Sequence, residues 1–381
     1  MAWICFHPVS LLRCLVSREG SILKLDRARE VPHQLMSNHQ TPPMKAMKKF
    51  PKDSRALTME LDPILKSIEH GRQKALIKIR KGKLLLTLCV FITLLLSACY
   101  IVGVNTYISF PESYYKFVFI PILVGALVGM TIYSFFIGGH KAAYRSVYKN
   151  KVIGGMAKLI HAGVNYAPTQ GIPERRFKEA GLYNTNIDRY DCEDLFFGQV
   201  GKTGIMFSEI FAQEKKTRTD SDGDTQTEWI TIFKGLFFIA DFNKNFRSWL
   251  TIQPDFAEKN FGWFGRKIQG FSSNLIRLES PDFEKAFVVH GGDQVEARYI
   301  LTPDMQERLL ALRNRYGADI RLSLQNSELN LSIPNPKDWF EPNIRLPANE
   351  FSQMQTFINQ MCYLFDIVEM LDLNTRIWSK E

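Results

Sequence analysis

Leu84 to Val104 reads LLLTLCVFITLLLSACYIVGV, and Phe117 to Ile137 reads FVFIPILVGALVGMTIYSFFI. Each run is 21 residues long and carries no charged side chain. A helix rises 1.5 Å per residue, so either run reaches across a hydrocarbon core of about 30 Å. Two such runs a dozen residues apart are hard to bury in a soluble domain. They predict a transmembrane helical hairpin over residues 84–138, with spans at 84–104 and 117–137. Arg72, Lys74, Lys78, Arg80, Lys81 and Lys83 precede the first span, and Lys141, Arg145, Lys149 and Lys151 follow the second. The loop between them offers Lys116 alone. Basic flanks stay on the cytoplasmic side, so both termini are predicted there and the loop outside. The same bases can rest on anionic headgroups.

Gly125 and Gly129 give the second span a GxxxG spacing, which lets helix backbones approach closely. That spacing serves either a dimer interface or packing within the hairpin. In an antiparallel hairpin Gly125 is reckoned to fall at the depth of Ser97 and Ala98, small residues suited to the second use. Leu96-Ser97-Ala98-Cys99 also resembles a lipoprotein cleavage box. The run stays apolar beyond Cys99, however, and the basic region before it is too long for a signal peptide.

Working outward, the net charge of +9 divides unevenly. Residues 1–83 hold 17 Lys/Arg against 7 Asp/Glu, while residues 84–381 hold 31 against 32. A nucleic-acid-binding domain needs a basic face on its folded part, which this near-neutral region does not supply, so nucleic acid is not expected as a partner. The cysteines, Cys5, Cys14, Cys89, Cys99, Cys192 and Cys362, form no CxxC pair and two lie in the apolar runs, as expected of reduced thiols. Residues 1–58 show no sustained period and read as a flexible basic extension. Methionines at 44, 47 and 59 raise the expectation that translation starts internally. Residues 59–83 read as a juxtamembrane helix running into the first span.

Residues 139–381 read as a cytoplasmic α+β domain, antiparallel β-sheet with covering helices. Helical character continues past His140, with a bend expected at Gly154-Gly155, and the chain breaks at Tyr166-Ala167-Pro168. A short helix from Glu174 to Ala180 stops at Gly181. Strands are predicted at 195–200, 205–211, 229–233 and 235–240, with a polar hairpin tip around Asp222-Gly223. Further strands are expected at 287–290 and 297–301. Thr302 and Pro303 open a helix that Gly317 closes, and Gln325 to Glu328 turns a second hairpin. Phe351, Met354, Ile358, Met361, Phe365 and Val368 recur at helical steps and read as a core-facing stripe.

Two motifs fail on inspection. Gly201-Lys202-Thr203 lacks the glycine five residues earlier that a phosphate loop needs, since Phe196 stands there. Asp220, Asp222 and Asp224 suggest a calcium loop, but Thr225 and Thr231 occupy the positions requiring Gly and Glu. No cofactor and no metal-ligand set is read.

Tyr190-Asp191-Cys192-Glu193-Asp194, Phe233-Lys234-Gly235-Leu236-Phe237-Phe238, Asp241-Phe242-Asn243-Lys244, Leu278-Glu279-x-Pro281-x-Phe283-Glu284 and Gln294-Val295-Glu296-Ala297-Arg298-Tyr299-x-Leu301-Thr302-Pro303 together resemble the bacterial domain-of-unknown-function family 3137. The resemblance is read over roughly Leu84 to Glu381. It implies a bacterial inner-membrane protein with two spans and a cytoplasmic domain, and it supplies no activity. It hints at other membrane proteins, of the LemA type, as partners beside the lipid bilayer.

The function expected is a membrane-anchored interaction or scaffold module. The alternative is a tethered enzyme using polar residues at strand ends: Asp191, Glu193, Asp194, Glu209, Asp241, Asn243, Lys244, Asp293 and His290. Of these Asp241, Asn243, Lys244 and His290 are the catalytic candidates. Clustering of Asp194, Asp241 and Asp293 in one pocket would favour the enzyme, and dispersal the scaffold. A third alternative is lipid contact through Trp263, Phe264, Arg266 and Lys267, which join aromatics to bases in a glycine-rich stretch.

Overall fold

The structure, a computed structural model, describes residues 54–107, 119–219, 225–242, 246–255 and 274–373. The N-terminal extension up to residue 53, the loop at 108–118, the hairpin tip with Asp220, Asp222 and Asp224, the candidates Asn243 and Lys244, and the lipid-contact candidates Trp263, Phe264, Arg266 and Lys267 lie outside the described residues.

Helix α1 spans Ser54–Tyr107 without interruption, so residues 59–83 and the first apolar run are one element. Leu57, Leu61, Leu65 and Ile68 recur at three- and four-residue steps and are buried against the sheet domain. Past Lys83 the same helix exposes Leu84, Leu88, Phe91, Leu94 and Leu95. Helix α2 runs over Phe119–Ile160, its hydrogen bonding widened to the π pattern at Tyr133–Gly138 and Lys149–Ile153. The helix thus continues through Gly154-Gly155. Each π stretch inserts extra backbone and re-aims the side chains that follow.

The two helices pack on each other through glycines. A Cβ on Gly82 would collide with Phe136, and one on Gly125 with the side chain of Thr93. Thr93, rather than Ser97 or Ala98, therefore faces Gly125. Gly129 sits beside Leu86, Ser97 is buried, and Ala98 is exposed. The hydroxyls of Thr93 and Ser97 donate back to the carbonyls of Cys89 and Thr93, so these polar groups need no water.

The sheet has nine strands among the described residues, ordered β1-β2-β3-β4-β9-β8-β5-β7-β6, and every pairing is antiparallel. The strands are β1 Val164–Ala167, β2 Arg189–Val200, β3 Thr203–Thr219, β4 Thr225–Asp241, β5 Leu250–Pro254, β6 Leu275–Ile276, β7 Phe287–Gly291, β8 Arg321–Gln325 and β9 Glu328–Pro334. One long strand, β4, shows why both faces need cover. Leu236, Phe238 and Ala240 enter the larger core, while Phe233, Phe237 and Ile239 enter a second core on the opposite face. Helix α3, Glu174–Glu179, covers that second face with Phe177, which stacks on Tyr183. Further along come α4 Pro281–Ala286, α5 Gln294–Ile300, α6 Pro303–Tyr316 and α7 Phe351–Met370. Of the stripe read from Phe351 to Val368, Met354 onward faces the larger core and meets Tyr148 of α2 through Phe357, whereas Phe351 at the start of α7 is exposed.

Two expectations change, and one strand was not read at all. Ala297 to Ile300 is helical and Leu301 caps the helix, because the Asp293 carboxylate accepts the amides of Val295 and Glu296 and starts a helix there. Tyr166-Ala167 is no break but the end of edge strand β1. Strand β5, with no reading from sequence, fills the place between β7 and β8.

Candidate functional site

Where α2 meets the sheet, charged side chains gather around one ion pair that is closed off from water. Its centre is Lys149, at the start of the second π stretch, whose side chain is 3 % exposed. Opposite it lies Asp194, 1 % exposed, at a break in the β2–β3 register between Glu193 and Phe196. Asp194 has a left-handed backbone (φ 57°), and the bulge is pinned by Asp194 N–H donating to Pro168 O and Leu195 N–H donating to Gln170 O. Such a bulge re-aims one side chain out of strand alternation. Here it turns the carboxylate of Asp194 toward α2.

The Lys149 ammonium lies 2.6 Å from Asp194 Oδ2, 2.6 Å from Glu341 Oε1 and 3.5 Å from Glu193 Oε2. One turn earlier, Arg145 Nη2 reaches Glu193 Oε2 at 2.8 Å and Glu341 Oε1 at 2.5 Å. The Tyr166 hydroxyl donates to the second oxygen of Asp194. Burial works against the charge on Lys149, but Asp194, Glu341 and Glu193 outweigh it and hold its pKa above the ordinary lysine value. Burial raises Asp194 to about 6 despite the attraction of Lys149, so the pair is ionised at neutral pH. Glu209, on β3, accepts the Trp339 amide; burial, then the charges of Asp194 and Glu193, push it up to about 8.

This chemistry is that of a closed ion cluster. Oxygens of Glu193, Asp194 and Glu341 lie within 4.8 Å of one another, a spacing that a metal could bridge. The ammonium of Lys149 already lies among them as their cation. With its charge held and its three protons shared among carboxylates, Lys149 is neither a free base nor a nucleophile. Two open cavities flank the cluster and share Glu193 in their walls. One, about 560 Å³, lies beside α2 and the segment 341–345. The other, about 270 Å³, is lined by Asp191, Cys192, Glu209 and Lys234.

Of the residues picked out from sequence, the structure brings Glu193, Asp194 and Glu209 together. Asp241 ends β4 opposite Glu328, and Asp293 is a helix cap. His290 is buried in β7 opposite Thr251, and burial lowers its pKa. None of these three lines either cavity. Sequence reasoning missed Tyr166 and Glu341, and took Arg145 and Lys149 as membrane-flanking bases. Their spacing was the available signal: Lys141, Arg145 and Lys149 fall at four-residue steps on one face of α2, and Tyr144 and Tyr148 beside them are buried.

The architecture is that of a mixed helix and sheet protein, with one nine-stranded antiparallel sheet among the described residues, two long apolar helices, and ion pairs from Lys149 and Arg145 of α2 to the sheet. Residues 231–373 match the family described as Protein of unknown function (DUF3137), so the resemblance holds from β4 to the end of α7. The motif at Tyr190 to Asp194 lies outside that match. No curated protein and no solved structure matches the chain.

Proposed function

We propose that the chain is an integral membrane protein whose two apolar helices cross the bilayer as a hairpin, and that the sheet domain is an interaction module held rigidly at the cytoplasmic surface. One observation carries the first part. Only 6 % of each apolar stretch is buried, so Phe91, Leu94, Leu123 and Phe135 present open hydrocarbon over a span's length. A core helix of a soluble domain would hide that surface, and hydrocarbon lipid is the medium that suits it. The orientation rests on the flanking bases. Arg72 and Lys149 are buried in ion pairs, but seven of the ten remain exposed. The sign of the bias therefore stands. The closed chemistry of the Lys149 cluster favours a fastening between anchor and domain over a reaction centre. The partner would be another membrane protein, met at the bilayer surface.

Carbonate extraction of native membranes tests the anchor. The protein should stay in the pellet and leave only with detergent; release by carbonate would refute it. Cysteines introduced at Glu112 and Lys151 test the sidedness. An impermeant thiol reagent should reach the first in intact cells and the second only after permeabilisation, and equal labelling would overturn the orientation.

A further inference from the structure

We infer that the larger cavity beside α2 is a binding site for a phosphate-bearing anionic group, with an acidic phospholipid headgroup as the occupant its position favours. Lys141 and Arg345 line it, and neither makes an ion pair among the described residues. Arg145 lines it as well, with its side chain 42 % exposed. The acids in the wall, Glu193 and Glu341, are each already bonded to Arg145 and Lys149. They therefore offer little unopposed repulsion to an anion. A volume of about 560 Å³ is within the usual range for a small-molecule site.

The cavity is also built. The Asn343 side chain accepts the Arg345 amide, which shapes the turn carrying that base. Arg72 of α1 donates to Ile344 O at 3.0 Å, and Glu69 accepts the Ala348 amide at 2.8 Å. Arg72 and Glu69 are themselves paired, and that bond, partly opposed by burial, holds Glu69 at about 2. One wall is thus tied to α1 and the other is α2.

Depth supplies the occupant. Lys141 lies four residues past Ile137, about 6 Å along the helix from the end of the apolar run. A headgroup layer extends about 5–8 Å beyond the hydrocarbon on each side. The bases of the cavity therefore begin at headgroup depth. This placement rests on the membrane-spanning reading above, whereas the charge chemistry of the cavity does not.

The test uses purified full-length protein in neutral detergent, probed by native mass spectrometry with phosphatidylglycerol, with phosphatidylcholine and with glycerol phosphate. Wild type should retain phosphatidylglycerol over phosphatidylcholine, and Lys141→Gln/Arg345→Gln should retain at least fivefold less while keeping the wild-type melting temperature. A matched control, Lys78→Gln/Lys81→Gln, should retain as much as wild type. Binding of glycerol phosphate that is lost only in the cavity variant would make a free phosphoester the occupant and uphold the site. Equal retention by wild type and the cavity variant, or an equal loss in the control, would overturn it. A protein that carbonate releases but that still binds glycerol phosphate through Lys141 and Arg345 would fail the membrane reading and keep this one.

Discussion

At the scale of single residues, Glu209 is the carboxylate, among the described residues, whose charge burial opposes most. Its pKa rises from 4.5 to about 8, first because it is buried and then because Asp194 and Glu193 are near. Below pH 4.5 folded and unfolded chains both hold the proton, and the site has no effect. Between about 4.5 and 8 only the folded chain keeps it, so stability falls as pH rises through that window and levels off above it. Glu209→Gln keeps an oxygen for the Trp339 amide and cannot ionise. Allowing for partial solvent access, the variant should gain about 1–2 kcal/mol near pH 9, or about 3–6 °C in Tm. Near pH 4.5 it should melt with wild type; the same gap at both pH values would refute the account. Glu209, Glu193 and Asp194 were visible in sequence as strand-end carboxylates. Their cation was not, since Lys149 pairs with Asp194 across 45 residues, and Arg145 with Glu341 across 196. A base just past an apolar run reads as a membrane flank until the fold shows which way it turns.

At the scale of elements, the legible parts were those whose signals are local. The turn between β8 and β9 puts Asn326 and Ser327 at φ 54° and 59°, and the hairpin falls where the alternation breaks. Helix α6 starts at the Thr302 cap with Pro303 and ends at Gly317, whose φ of 111° favours glycine. Segment 297–301 went the other way because its apolar run suits a strand or a short buried helix equally. The deciding residue lies outside the run: Asp293, whose carboxylate accepts two amides of α5. Asp293→Ala should therefore cost about 1 kcal/mol, lowering Tm by about 2–4 °C, whereas Asp293→Asn should recover most of it. Thermal melts of the two variants check this, and equal losses would show that charge, not capping, is what matters. Strand β1 was missed for a different reason. Its four residues carry little pattern and are ordered by pairing with β2, a contact made from outside the segment.

Across the whole molecule, the ion cluster is proposed to make the apolar helices and the sheet domain behave as one body. Helix α2 brings Lys149 and Arg145, the sheet brings Glu193 and Asp194, and the segment before α7 brings Glu341. The same joint holds apolar contacts, with Tyr148, Val152 and Met156 of α2 and Leu57, Leu61 and Leu65 of α1 in the core shared with α7. Removing the cation leaves the buried carboxylate of Asp194 without its ion partner, while Glu193 and Glu341 keep Arg145; breaking such a buried pair costs about 3–5 kcal/mol, whereas removing cation and carboxylate together can be close to neutral. Lys149→Met should accordingly loosen the joint. In hydrogen exchange on protein held in nanodiscs, amides of β1, β2 and the α2 segment from Lys149 to Ile160 should exchange faster, while the β8–β9 hairpin stays protected. Lys149→Met/Asp194→Asn should restore much of the protection, because asparagine suits the left-handed backbone, keeps an acceptor for the Tyr166 hydroxyl and leaves no unmatched charge at position 194. If the single variant exchanges like wild type, the cluster is not the fastening. If it loosens the β8–β9 hairpin as much as β2, the lysine supports the whole fold rather than the joint. The comparison separates a domain that merely sits near the two apolar helices from one that any load on those helices must move.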